Sequence, residues 1–213
     1  MPEHDLEKAT AREDLCRFLS ACYYEPDAEF AEERLFESML EAARRIDPGL
    51  AESARKLGEA FTAQDLQTLL LDYTRLFLGP VQPLARPYGS YWLSGEATLM
   101  QDTTMSLLEL YQEAGFEMDE EFHELPDHVA VELEFLYLLT FKRNEAQRAG
   151  FTEVTAAWEL LRGMLLREHL GAWIGRFAAS VKSGAQTTFY RELADMTERF
   201  VHMETQASKP APH

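Results

Sequence analysis

The stretch spanning residues 129–139 constrains the fold more than any other. Val129, Val131, Leu133, Phe135, Leu136, Leu138 and Leu139 leave it apolar almost all round. A helix of that composition has no face to offer water, so it belongs at the centre of a domain. A central helix must be covered, and the flanking sequence supplies amphipathic helices to do so. Leu15, Phe18, Leu19, Cys22 and Tyr23 fall at i, i+3, i+4, i+7 and i+8, one helical stripe. The Glu25-Pro26 step predicts its end. Residues 30–46 read as a second helix, closed by Asp47-Pro48-Gly49, and residues 50–61 as a third. Residues 65–78 read as a fourth, with Leu66, Leu69, Leu70, Tyr73 and Phe77 on one face. Helix is expected again over 96–114, from Pro126 to about 146, and over 151–168, 170–182 and 185–204. No stretch alternates as a half-buried strand would. The expected fold is therefore all-α: a single-domain irregular bundle of about eight to nine helices over residues 1–204. Residues 205–213 are expected to form a disordered tail.

The bulk composition narrows the function. The 213 residues suffice for one sizeable core. A net charge of −17 argues against a nucleic-acid partner. That charge is uneven. Residues 1–78 hold 17 acids and 9 bases, residues 79–150 hold 13 and 4, and residues 151–213 hold 7 of each. Between Arg86 and Lys142 there is no Lys or Arg, yet 12 acids occur. Such a field keeps a protein soluble and also attracts cationic partners. No apolar run approaches the ~20 residues that span a bilayer, and the polar start "MPEHDLEKATARED" is no signal peptide. A cytoplasmic protein without membrane insertion is the expectation. Cys16 and Cys22, on one helix, would sit ~9 Å apart along its axis, too far for a disulfide.

Two stretches stand out from the helical pattern. "GPVQPLARPYGSYWLSG", residues 79–95, holds three prolines and three glycines beside Tyr88, Tyr91 and Trp92. Its prolines and lack of period exclude helix, and a loop this long in a compact domain tends to be functional. "FHELPDHVAVELEF", residues 122–135, brackets a glutamate between two histidines. A zinc helix needs its histidines at i and i+4. His123 and His128 are five apart, so they would point about 140° apart on a helix, and Pro126 interrupts it. A di-iron bundle needs two Glu-x-x-His motifs, and Glu120-x-x-His123 supplies one. No phosphate loop or nucleophile elbow occurs. Pro126 is instead expected to open a helix, with Asp127 in its first turn against the positive end of the dipole. His128 and Glu132, one turn apart, are expected to pair and so favour the protonated imidazole.

At these residues the chain resembles the redox-enzyme maturation chaperones, the family of the trimethylamine-oxide reductase, dimethyl-sulfoxide reductase and nitrate reductase assembly chaperones. "ELPDHVAVELEFLYLL", "YTRLFLGPVQPLARPYGSYWL", "ACYYEP" and "AWIGRFAASVKSGAQTTFYRELADMTERFV" carry the resemblance, in order, over residues 15–201. It implies an all-α cytosolic chaperone and no enzymatic activity. The implied partners are the twin-arginine leader and the apo catalytic subunit of a molybdenum oxidoreductase, held back from export until its cofactor is inserted. A sister branch serves nitrate reductases without export. Members are monomers or domain-swapped homodimers. None holds a cofactor stably, though weak guanine-nucleotide binding is attributed to some, and transient contact with the molybdenum cofactor fits the role. The implied leader-binding positions are Tyr23, Tyr73, Leu76, Gly79, Pro87, Tyr88, Ser90, Asp127 and His128, flanked by Tyr91, Trp92, Pro126 and Glu132. Asp127 would contact an arginine or hold the corner's shape. Tyr73 and Tyr88 stand where tryptophan is common in the dimethyl-sulfoxide reductase branch, and Val81 replaces an aromatic. The competing readings are a metal-dependent hydrolase using His123 and His128, and a structural helical subunit of a larger complex.

Overall fold

The computed structural model describes residues 3–79, 82–93, 102–117 and 124–208. Eleven α-helices occur among them: α1 (Glu3–Ala21), α2 (Glu29–Glu32), α3 (Leu35–Ile46), α4 (Pro48–Thr62), α5 (Leu66–Tyr73), α6 (Gly89–Leu93), α7 (Asp102–Glu113), α8 (Val129–Arg148), α9 (Thr152–Glu168), α10 (Leu170–Gly184) and α11 (Thr188–Ala207). Nine of these run eight residues or more, as the periodicity predicts. None is long and apolar enough to cross a membrane. Val81 and His123 lie outside the described residues.

Helix α8 is the central element. Val129, Leu133, Phe135, Leu136 and Leu139 are wholly inaccessible. It packs against α1 and α9, while α10 pairs with α11 and α4 bridges α3 and α11. Trp173, Phe177, Phe189 and Phe200 complete the core from α10 and α11. Cys16 and Cys22 are buried free thiols within it. Capping sets the helix starts. Asp47 accepts from the Gly49 and Leu50 amides at 2.8 and 3.0 Å ahead of Pro48, and Asp65 accepts from Thr68 N at 2.9 Å. Both remove orphan first-turn donors.

Three expectations need correction. Helix α11 runs to Ala207, so residues 205–207 of the expected tail are helical, while residues 209–213 of that tail and 96–101 of the expected helix lie outside the described residues. Residues 30–46 are not one helix. Arg34 takes a left-handed conformation (φ 54°) between α2 and α3. Helix α2 buries no residue, whereas Leu35, Phe36, Met39, Ala42 and Ala43 of α3 face the core, so the break frees α3 to dock alone. Nor is helix absent from residues 79–95, because Gly89–Leu93 form α6. Its amides are capped from a distant segment, which no local signal could announce.

The end of α5 is also irregular. Thr74–Leu78 form a π-helical turn, closed by Gly79 N donating to Thr74 O at 2.6 Å. Gly79 has φ 54°, and a Cβ there would lie 2.5 Å from the Gln82–Pro83 backbone, so glycine is required. Two buried carboxylates tie remote elements together. Glu204 of α11 accepts from Arg12 of α1 at 2.9 Å and pairs with Arg162 of α9. Asp72 of α5 accepts from Gln186 N (3.0 Å), Thr187 N (2.7 Å), Thr187 Oγ1 (2.8 Å) and Arg75 (2.7 Å).

Burial pushes the Asp72 carboxyl up, but the Thr187, Arg75 and Gln186 hydrogen bonds outweigh it and hold the group below its usual range. A depressed folded pKa stabilises above the ordinary carboxylate range, and the contribution is lost as pH falls through the folded value. Asp72→Ala also strands the buried Thr187 amide and hydroxyl and leaves Arg75 without its partner, and should cost about 3 kcal/mol in urea unfolding near neutral pH. The deficit should shrink toward acid pH; one that does not change with pH would contradict a charged Asp72.

Candidate functional site

The two exceptional stretches meet. Gly89 N donates to Asp127 O and Val129 N donates to Pro87 O, both at 2.8 Å, forming an isolated antiparallel bridge between Tyr88 and His128. Asp127 Oδ2 accepts from Ser90 N at 2.8 Å. One residue thus caps the first two amides of α6, with its carbonyl and its carboxylate. Each residue of Pro87-Tyr88-Gly89-Ser90 has a reason. Pro87 needs only its carbonyl. Tyr88 forms the bridge. Gly89 approaches so closely that a Cβ would lie 2.9 Å from both Glu132 Oε1 and Trp173 Nε1. Ser90 presents its amide to Asp127.

This geometry revises the sequence expectations for the corner. Pro126 and Asp127 form a turn, and α8 starts only at Val129. Pairing with the loop holds His128 extended, which keeps it out of the helix. His128 is the N-cap, its Nδ1 accepting from Ala130 N at 3.2 Å. Asp127 therefore serves α6 rather than the dipole of α8. The expected His128–Glu132 pairing does not occur. Burial pushes His128 down to about 4, so it is neutral at physiological pH. Glu132 instead accepts from Trp173 Nε1 at 3.1 Å. Burial first, and then the charge of Asp127, push its carboxyl well above the usual range. Burial thus disfavours the charged form of both His128 and Glu132 beneath the corner.

Above that layer the side chains are acidic and aromatic. The His128 ring lies between Tyr24, stacked at 6.1 Å, and Tyr88, edge-on at 5.4 Å. Tyr24 donates to Glu134 at 3.1 Å and Tyr88 to Glu124 at 3.4 Å. Burial and then Glu124 push Tyr88 and Tyr73 each up to about 12. Burial, Glu134 and Glu124 also raise Tyr24. Glu124 therefore acts on three tyrosines at once. All three hydroxyls stay protonated; Tyr24, Tyr88, Glu124 and Glu134 are partly solvent-accessible, whereas Tyr73 is buried.

The remaining candidates sort by burial. Tyr23 bonds Thr197 at 3.1 Å inside the core, and Leu76, Ser90, Asp127, His128 and Glu132 are almost inaccessible. Pro87 is buried, while Gly79, Tyr88, Tyr91, Trp92 and Pro126 are half-buried. Tyr111 fixes Pro126 by donating to its carbonyl at 2.8 Å. Tyr91 lies under the Arg86 guanidinium (4.8 Å) and against Trp92 (5.0 Å), whose Nε1 donates to Arg86 O. Sequence reasoning missed Tyr24, Glu124, Glu134 and Trp173. Tyr24 had a signal, as the neighbour of Tyr23 in "ACYYEP"; Trp173 had none.

The His128 ring should stay neutral down to about pH 4 in an NMR titration. The unfolded chain binds that proton first, so stability should fall as pH drops from the ordinary imidazole range toward about 4. Titration at an ordinary imidazole pH would instead favour pairing with Glu132.

Known proteins resemble this chain along most of its length. A model of the family described as nitrate reductase delta subunit matches residues 43–179. The perchlorate reductase assembly chaperone protein of Dechloromonas aromatica (strain RCB) is 29% identical over 213 residues, covering 93% of this chain and 91% of that protein. The chaperone protein TorD of Vibrio parahaemolyticus is 28% identical over 138 residues, covering 64% of this chain and 62% of that protein. A crystal structure of a protein described as a redox enzyme maturation protein from Archaeoglobus fulgidus superposes with a TM-score of 0.50 at 22% identity, covering 89% of this chain and 93% of that one. That likeness speaks for the fold.

Proposed function

The chain belongs to the nitrate reductase delta-subunit family, and from that membership we propose that it is a system-specific maturation chaperone rather than an enzyme. Its client is the apo catalytic subunit of a molybdenum oxidoreductase, engaged through a twin-arginine leader and held until the cofactor is inserted. The observation that carries this reading is the corner where Glu124 and Glu134 stand among Tyr24, Tyr88 and His128. A guanidinium is planar, always charged and weakly hydrated. It pairs with carboxylates and stacks on flat rings. The corner offers both. The half-buried Tyr91, Trp92 and Gly79 suit the apolar stretch that follows the arginines. Tyr23, Tyr73, Leu76, Pro87, Ser90, Asp127, His128 and Glu132 contribute by holding the shape. Relatives named as an assembly chaperone and as a chaperone protein support the same role.

The family description, nitrate reductase delta subunit, suggests a further reading: a nitrate-reductase-type catalytic subunit as client, which on this reading is not exported and lacks the arginine pair. Calorimetry with the full chain separates the two. A native twin-arginine leader should bind, and replacing Arg-Arg by Ala-Ala should weaken it. Glu124→Gln should weaken the native leader about tenfold, or ~1.4 kcal/mol, and leave the Ala-Ala peptide unaffected. Added salt should erode only the arginine-dependent part. Equal affinity for the two peptides would favour the client without the pair. No binding of either would overturn the leader reading.

A further inference from the structure

Helix α9 has two apolar faces. Leu161, Leu165 and Leu166 point into the core. The second face points out: Glu153, Ala157, Leu160, Met164 and Arg167 follow one another at spacings of 4, 3, 4 and 3 residues, the seam of a coiled coil. All but Met164, which is half-buried against the edge of the core, are exposed, Leu160 at 59%. The two ends of this seam are equidistant from Leu160. Glu153 and Arg167 lie seven residues to either side, each ~10.5 Å away along the axis. The ion pairs of α9 use Glu159 and Arg162 and leave Glu153 and Arg167 without one among the described residues. Arg167 lies folded over Gly163, where a Cβ would be 2.5 Å from its guanidinium.

We propose that this face pairs antiparallel with the same face of a second copy of the chain, about a two-fold axis at Leu160. The two Leu160 side chains then meet. Met164 of each copy fits beside the small Ala156 and Ala157 of the other, and Glu153 of each copy stands level with Arg167 of the other. Such an arrangement is isologous and closes on itself. Charge favours it too. Residues 1–78 and 79–150 each carry a large excess of acid and repel their counterparts. Residues 151–213, with 7 acids and 7 bases, do not. A second copy therefore meets least repulsion at the neutral third of the chain, which contains α9. No element is exchanged between copies, so the dimer differs from a domain-swapped one. One helix pair buries less than a permanent interface does, which makes this a concentration-dependent monomer–dimer equilibrium and leaves the α8 corner free.

Sedimentation velocity of the full chain over a range of concentrations tests it. The sedimentation coefficient of the native chain should rise with concentration. Leu160→Glu should abolish that rise. Glu153→Arg and Arg167→Glu each set like charges opposite one another, and each should weaken dimerisation about tenfold. The double variant E153R/R167E restores opposite charges and should recover most of the loss. All three positions are on the surface of a folded helix, so unchanged circular dichroism and melting would separate lost pairing from lost folding. A native chain that stays monomeric throughout overturns the proposal. So does a dimer that the Leu160 and charge variants leave intact, because the contact then lies elsewhere or involves exchanged elements.

Discussion

The Asp127 carboxylate is the interaction on which the rest of the site depends. It accepts from Ser90 N while its own carbonyl accepts from Gly89 N. A Pro/Gly-rich segment is thereby fastened to the rim of the central helix α8. Without that fastening the backbone donors at the start of α6 would be stranded in a buried setting, a cost few loops can meet. With it, Gly89 is pressed against Glu132 and Trp173, and Tyr88 is fixed against the His128 ring. The alternatives left open for Asp127 by the sequence were contact with an arginine or support of the corner. Its burial and its hydrogen bond to Ser90 favour support.

The electrostatics divide into layers. Beneath the corner His128 and Glu132 are both pushed toward their neutral forms by burial, so no buried cation competes for the acids above them. At the surface Glu124 and Glu134 are half-buried and hydrogen-bonded to tyrosines. Such carboxylates are positioned before a cation arrives, so less side-chain freedom is lost on pairing. A chaperone that must release its client is served by contacts that are oriented but still open to water, because exposed ion pairs are individually weak and sensitive to salt. Within the proposed function, selectivity then arises from the spacing of acids and rings rather than from any one strong contact.

Much of the fold was legible in the sequence. The all-round apolar composition of residues 129–139 placed α8 at the centre, and the stripes of α1 and α5 gave their inward faces. What escaped depended on contacts between distant segments. Helix α6 exists because Asp127, 37 positions away, caps it. The start of α8 moved from Pro126 to Val129 because the loop pairs with His128. Local spacing suggested a protonated His128 beside Glu132, but burial and Trp173 decided otherwise. The candidate site was half legible. The loop and the Pro-Asp-His corner were identified and do meet, but many of the named residues are the buried framework. Tyr24, Glu124 and Glu134 become a group only when the end of α1, α8 and the corner fold together, so no single stretch announces it.

Hydrogen exchange on the full chain, with and without a saturating twin-arginine leader, would test most directly whether the corner is the seat of the client. Amides of residues 82–93 and 124–130 should exchange more slowly in the complex, while those of α3 and α4 should be unaffected. Slowing confined to another surface, with the corner unchanged, would contradict it.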